Sequence, residues 1–251
     1  MDYDKTGMPD VYDSGRSYAP HVLNHWIDTI SAVVPNQRID RILDLGCGTA
    51  RFSSALAEGL DAFVYALDPS ERMLEQARKK PHPRVHYLRS SGEHLPLQDR
   101  SVDLVFMSMV FHHFDDPVRA AQECYRVLRV GGSVCLRAGS REQIFTYPHV
   151  SFFERFRSIL ETTLHPSDVI VDTFTQAELH LVRHKLVQSE TAENWQRFAE
   201  KASLRADSVL SQLTDEEFRS GLAKLRSFAQ SQSIEEPVVE KIDLFVFRRY
   251  K

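Results

Sequence analysis

The chain of 251 residues is short of several things at once. It has three cysteines, Cys47, Cys124 and Cys135, set far apart and odd in number. A disulfide framework is therefore not expected, and no Cys-x-x-Cys or Cys/His spacing offers a metal its ligands. No apolar run approaches the roughly 18 residues of a membrane span, and no basic-then-apolar leader is visible. The expectation is a cytoplasmic protein with no membrane insertion. A basic excess is missing too, with 31 Lys and Arg against 35 Asp and Glu for a net charge of -4. The densest cations, Arg78-Lys79-Lys80, fall at a helix end where cations are favoured, so no nucleic-acid partner is expected. Repeats and low-complexity tracts are absent as well. What remains is ordinary globular composition, long enough for one large α/β domain or a core domain with a lid.

Against these absences stands one stretch, Arg41-Ile42-Leu43-Asp44-Leu45-Gly46-Cys47-Gly48-Thr49-Ala50-Arg51-Phe52. An apolar run of strand length meets two closely spaced glycines, and a helical pattern follows. Glycine tolerates positive φ and lets a ligand approach the backbone. The helix behind the turn aims its unpaired N–H groups and positive dipole end at the same place. The stretch reads as a nucleotide or nucleoside pocket, or as plain turn chemistry, and the rest of the chain must decide.

Residues 1–18 are polar without a clear period and read as a loop or short cap, with an N-terminal cap expected over 1–36 and the main domain over 37–251. Pro20 opens a helix with Val22, Leu23, Trp26, Ile27 and Ile30 on one face, ended by Pro35-Asn36-Gln37. Strand one is Arg41–Leu45. A helix starting near Ala50 buries Phe52, Ala55 and Leu56, and strand two covers 62–67. The helix of Met73, Leu74 and Ala77 breaks at Pro81-His82-Pro83, and Val85–Arg89 alternates as strand three. Residues 103–110 are almost continuously apolar, as a central parallel strand should be. Asp116 and Pro117 cap a helix that Gly131-Gly132 terminates, and 133–138 form strand five. Alternating strands and helices with short links predict a doubly wound, right-handed α/β sheet. Beyond it, Phe145, Tyr147, Phe152, Phe153 and Phe156 precede a helix ending near Leu164. Strands are predicted at 181–187 and 242–247, with a helical insertion at about 189–233. One of its helices carries Trp195, Phe198, Ala202, Val209 and Leu213; the other opens with the capping box Thr214-Asp215-Glu216-Glu217.

Asp68 closes strand two, placed to accept hydrogen bonds from both hydroxyls of a ribose; its plainer role is to cap the next helix. A dinucleotide turn asks for a third glycine three positions after the second, where Arg51 stands. No Gly-Lys-Ser/Thr ending marks an ATP loop. A ligand with adenosine but no phosphate fits better.

At this point the residues resemble a family. Leu43-Asp44-Leu45-Gly46-Cys47-Gly48-Thr49 is similar to the first motif of the class I S-adenosylmethionine-dependent methyltransferases, in their small-molecule, type 11-like branch. The resemblance continues in family order through Ala66-Leu67-Asp68-Pro69-Ser70, Ser90-Ser91-Gly92-Glu93, Val102-Asp103-Leu104-Val105 and Arg126-Val127-Leu128-Arg129-Val130-Gly131-Gly132. It covers about 40–138. It implies a Rossmann-like sheet of seven strands, the last antiparallel, with S-adenosyl-L-methionine as cofactor and S-adenosyl-L-homocysteine as product. Carried over by position, it places Gly46, Cys47 and Gly48 along the cofactor's amino-acid part, with Asp44 near its amino group. Asp68 and Pro69 would hold the ribose, Met73 would pack near the adenine, and Ser91, Gly92 and Glu93 would meet its edge. Met107 and Ser108 would lie beside the reacting end. The chain departs from the pattern at Ala50, where glycine is frequent, at Ser91, where an acid is frequent, and in a shortened helix before Leu181.

Methyl transfer from a sulfonium is an in-line displacement with an activated leaving group, so alignment can supply much of the acceleration, on the order of 7–11 kcal/mol. A base is required only where the acceptor must lose a proton. His112 and His113, just past the central strand, are the candidates, with local packing as their other reading. Tyr12, Arg16 and Tyr18 read as a lid whose rings face the sulfonium, or as anchors of a surface loop. The expected function is methyl transfer to a small organic acceptor, in a pocket built by the aromatic cluster and covered by the insertion. The alternatives are a cofactor-binding protein without turnover that acts through its insertion, and a different transferase using a modified S-adenosylmethionine.

Overall fold

The structure, a computed structural model, describes residues 3–34 and 38–251. Its strands are β1 (Arg41–Leu45), β2 (Phe63–Asp68), β3 (Val85–Arg89), β4 (Val102–Ser108), β5 (Leu128–Ala138), β6 (Leu179–Ala192) and β7 (Val238–Arg249). They form one sheet in the order β3-β2-β1-β4-β5-β7-β6. The pairings from β3 to β5 are all parallel, and β7 runs antiparallel to β5 on one side and β6 on the other. This is the expected seven-stranded Rossmann-like sheet.

The apolar runs explain the order. Ile42, Leu43 and Leu45 of β1 and Leu104, Val105, Phe106 and Met107 of β4 are wholly buried, so these strands belong in the middle with both faces covered. On one face pack α2 (Pro20–Val33) and α3 (Ser53–Gly59), with Trp26, Ile30, Phe52 and Leu56 against Ile42, Leu104 and Phe106. On the other lie α5 (Pro117–Val127) and α7 (Ser167–Gln176), where Phe174 stacks on Phe247 of β7 at 4.4 Å between ring centroids. A third core joins α6 (Phe156–Thr163), α8 (Trp195–Ser203) and α9 (Asp215–Gln230) around Phe153, Phe156, Phe198 and Leu225. The Thr214–Glu217 capping box at the start of α9 is formed in both directions, a contribution of about 1 kcal/mol.

Several expectations need correction. The N-terminal stretch is not a loop: it contains α1 (Met8–Arg16), preceded by a 3-10 turn at Tyr3–Lys5. Its apolar face is small, Met8, Pro9 and Gly15, because polar contacts hold the helix instead. Asp10 pairs with Arg72 at 2.7 Å, Asp13 with Lys80 at 2.6 Å, and Arg16 with Asp207 at 3.0 Å. The helix before Leu181 is not shortened; α7 has ten residues. Its Val169, Ile170, Val171, Thr173 and Thr175 are β-branched, which lowers helix propensity and hides the pattern. The helix ahead of β5 ends at Val127, so Gly131-Gly132 does not terminate it. Those glycines make an irregularity inside β5, with Gly131 at φ 84°.

The insertion begins later than expected, because β6 runs on to Ala192 and β7 starts at Val238. The single helix expected from Trp195 to Leu213 stops at Ser203. Arg205 there adopts φ 51°, and its side chain donates to Leu210 O at 3.0 Å. The expected turn at Pro35-Asn36-Gln37 lies outside the described residues.

α1 docks on the insertion at one close contact, where a Cβ on Gly15 would sit 2.5 Å from Ala206 Cβ. Overpacking of this kind costs typically 1–3 kcal/mol. Gly15→Ala is expected to loosen α1 selectively, raising amide hydrogen exchange across residues 8–16 while the sheet stays protected; unchanged exchange there would show that the contact does not hold the helix.

Candidate active site

The site is built where β1 meets its turn. The N–H groups of Gly46 and Cys47 donate to Leu67 O at 2.8 and 2.9 Å, so the turn leans on the end of β2. The Gly48 N–H donates to Asp68 Oδ2 at 2.8 Å and the Ser70 N–H to Asp68 Oδ1 at 2.9 Å. Both oxygens of one carboxylate thus tie the turn after β1 to the turn after β2. Gly46 is required as glycine: φ is 72°, and a Cβ there would lie 2.3 Å from Val110 Cγ2. Ala50 carries φ 61° in the same turn, a left-handed conformation that favours glycine.

Two carboxyls behind the turn are short of positive partners. Asp44 is 2% exposed and accepts from Ser53 Oγ at 2.6 Å; burial pushes its pKa up to about 7. Burial likewise raises Asp68 to about 6, against the lowering effect of its two backbone donors. Asp4 differs. It accepts from Ser70 Oγ at 2.5 Å and from Arg72 N at 3.1 Å, and these bonds hold its pKa below the usual carboxylate range. It joins Ser70, whose Oγ accepts from Met73 N, in capping α4 (Glu71–Arg78).

In front of the turn opens a cavity of about 410 Å³. Of the residues the sequence proposes for the cofactor, Gly46, Pro69, Ser91, Gly92 and Glu93 line it. Asp44, Cys47, Gly48, Asp68, Met73, Met107 and Ser108 are not on its wall. Asp68 and Gly48 shape it through their mutual bond. Met73 and Met107 are buried in the packing, and Ser108 Oγ accepts from Arg137 Nη1 at 3.3 Å. Tyr3, Asp4, Ser70, Val110, Phe114 and Asp115 also line the cavity. Glu93 Oε1 accepts from the N–H groups of Asp115 and Asp116 at 3.1 and 3.4 Å, which closes the Ser91–Glu93 loop onto the segment after β4.

A second, smaller cavity of about 60 Å³ adjoins the first. The two share Tyr3 and His113, whose Oη and Nε2 are 3.3 Å apart. His112 lies beside His113 with ring centroids 4.1 Å apart and planes tilted by 50°, and Tyr12, Arg16, Met109 and Tyr147 complete much of the wall. Burial pushes His112 down to about 3 and His113 to about 4, so both rings are neutral at pH 7. A groove of about 530 Å³ between α2 and α8 is larger. Its rim is crossed by the Arg197–Glu200 pair, and it meets no glycine turn.

The proposed lid residues converge, but on a different cation than expected. The rings of Tyr12 and Tyr18 face the guanidinium of Arg51, 5.1 and 4.9 Å from its central carbon. Arg51 also donates to the Arg16 carbonyl. Sequence reasoning missed Arg137, fully buried in β5, with Nη2 donating to Tyr18 Oη at 2.8 Å and its charge 4.6 Å from the Trp26 ring. The signal was present: an arginine inside an apolar strand run is out of place unless it serves something. Tyr3 and Asp4 carried no such mark.

Residues 43–136 match the methyltransferase domain family. A malonyl-[acyl-carrier protein] O-methyltransferase of Marinomonas is 32% identical over 70% of this chain and 64% of its own. The chain spans between about half and just under two thirds of the first curated relatives it matches. Among solved structures, a methyltransferase of Anabaena variabilis from an antibiotic pathway has a TM-score of 0.69 at 22% identity, covering 88% of this chain and 96% of its own. The Haemonchus contortus phosphoethanolamine N-methyltransferase 2, solved with S-adenosylhomocysteine, has a TM-score of 0.63 at 18% identity, covering all of this chain and 59% of its own.

The raised Asp44 pKa has a consequence for stability. Between about pH 4 and 7 the folded chain holds a proton on Asp44 that the unfolded chain has released, so this group's contribution falls as pH rises through that window. Asp44→Asn removes the charge while leaving an acceptor for Ser53. Relative to the unsubstituted chain it is expected to be more favourable at pH 8 than at pH 5, by about 1.4 kcal/mol for each pH unit between 5 and the raised pKa of about 7. Urea unfolding at the two pH values checks this; a difference independent of pH contradicts it.

Proposed function

We propose that this chain, whose residues 43–136 match the methyltransferase domain family, transfers a methyl group from S-adenosyl-L-methionine to a small organic acceptor. One observation carries the reading: a larger cavity at the glycine turn and a smaller one beside it share the wall made by Tyr3 and His113. That is the arrangement needed to present a donor on one side and an acceptor on the other. The first cavity suits the cofactor by its chemistry. Gly46 brings bare backbone to its floor, and the buried carboxyls of Asp44 and Asp68 stand behind it, starved of cations. An ammonium group and ribose hydroxyls are the partners such carboxyls lack. The presence of S-adenosylhomocysteine in the Haemonchus enzyme supports the same choice.

When bound, the cofactor supplies a methyl already activated by its sulfonium, so the chain's own residues have mainly to hold and align. α1 is fastened to the turn, with Asp13 accepting from Thr49 and Arg51 held between Tyr12 and Tyr18. The neutral His113 ring presents Nε2 at the shared wall, where it can accept a proton from a hydroxyl acceptor, though a pKa of about 4 makes it a weak base. The names of relatives place their chemistry at oxygen in the Marinomonas protein and at nitrogen in the Haemonchus one. A second reading, cofactor binding without turnover, draws on the Tyr3–His113 contact, which closes the way between the two cavities as they stand.

Asp68→Ala removes the acceptor of two backbone bonds and is expected to weaken binding of S-adenosylhomocysteine at least tenfold in calorimetry. Affinity of the unsubstituted chain is expected to fall as pH drops from 7.5 to 5, as Asp44 and Asp68 take up protons. Unchanged affinity in both experiments would remove the cofactor site from this turn.

A further inference from the structure

The acceptor side has a chemistry of its own. Arg16 of α1 lines the 60 Å³ cavity and also a smaller one of about 30 Å³. Asp207 and Ala206 line both as well, so the Arg16–Asp207 ion pair at 3.0 Å is the partition between them. Asp207 occupies one of the five N–H donors of that guanidinium. On the two sides of the partition, Tyr147 Oη and His149 Nδ1 are buried without a hydrogen-bond partner, in side chains 7% exposed. Tyr147 lines the first space and His149 the second. Buried polar atoms are normally satisfied, and two orphans flanking one guanidinium point to a ligand that completes them.

We propose that the acceptor carries a carboxylate that seats on Arg16 between Tyr147 and His149.

The charge balance favours an anion. The guanidinium groups of Arg16, Arg51 and Arg137 surround this region, against the carboxyls of Asp207 and Glu240. Arg137 is fully buried, its Nε has no partner, and Glu240, its nearest carboxyl, is 4.0 Å away. Burial raises the Glu240 pKa, which weakens its hold on the positive charge further. Lys201, on the wall of the 30 Å³ cavity, adds a cation whose Nζ also donates to Ser17 O at 2.8 Å and Thr191 O at 2.7 Å. The histidines do not alter this sum, since burial keeps His112, His113 and His149 neutral. A carboxylate also needs no base to become a nucleophile, which suits a site whose histidines are weak ones. The inference rests on the methyl-transfer reading for the word acceptor alone; the subsite itself is read from Arg16, Tyr147 and His149.

The test is calorimetric titration of the full chain, with and without S-adenosylhomocysteine, using straight-chain carboxylates from propionate to hexanoate and the matching primary amides. The acids are expected to bind at least tenfold more tightly than the amides, and Arg16→Gln to abolish the preference. Asp207→Asn keeps an acceptor for the N–H groups of Val209 and Leu210 but removes the carboxylate that competes for Arg16. It is expected to tighten acid binding several-fold, a gain that structural damage would not produce. Equal binding of acids and amides, no binding of any acid, or weaker acid binding in Asp207→Asn would overturn the subsite. Failure of S-adenosylhomocysteine to bind, with the acid preference intact, would instead remove the methyl-transfer reading.

Discussion

The carboxylate of Asp68 is the constraint on which the rest of the site depends. Its two oxygens take the N–H groups of Gly48 and Ser70, one from each of the turns that follow β1 and β2. These bonds add to those from the Gly46 and Cys47 N–H groups to Leu67 O, which already rest the first turn on the end of β2. Tied together, the two turns fix the backbone of Gly46 against Val110 and set the N-terminus of α4 beside the same space. The cost is a buried carboxyl whose charge is disfavoured, and the same is true of Asp44 one strand away. A binding site that keeps two such groups short of cations is prepared for a ligand that brings one.

The cover over this site is a composite. α1 comes from the beginning of the chain and the α8–α9 insertion from near its end, and they meet through Gly15 against Ala206 and Arg16 against Asp207. Polar contacts to α4 fasten the other side of α1. Such contacts at the surface are individually worth about 0–1 kcal/mol, so α1 is held by many weak links, whereas the insertion has the apolar core of Phe153, Phe156, Phe198 and Leu225. That distribution makes α1 the part of the cover most easily opened.

How much of this was legible in the chain follows from what kind of force holds each part. The central strands and their helices could be read because burial on both faces leaves continuous apolar runs, as in 103–110, and because caps such as Asp116 and Thr214 carry local signatures. The glycine turn and Asp68 could be read because their chemistry is local. α1 could not, since long-range ion pairs leave no period in the sequence, and α7 was masked by its β-branched residues. Within the site, five of the residues proposed for the cofactor line the cavity while Asp68 and Gly48 act from behind it. The acceptor side was the least visible. Tyr147 belonged to the aromatic cluster read as the acceptor pocket, but nothing local marked its hydroxyl, and Arg16 and Asp207 are 191 positions apart, coupled only by the fold.

In the proposed reaction the cavity at the glycine turn holds the methyl donor and the next one holds its acceptor. The most direct measurement is incubation of the protein with methyl-labelled S-adenosyl-L-methionine and a cellular metabolite extract, followed by mass spectrometry. The account predicts a labelled small molecule together with stoichiometric S-adenosyl-L-homocysteine. Tight binding of the cofactor with no labelled product in any extract would contradict it.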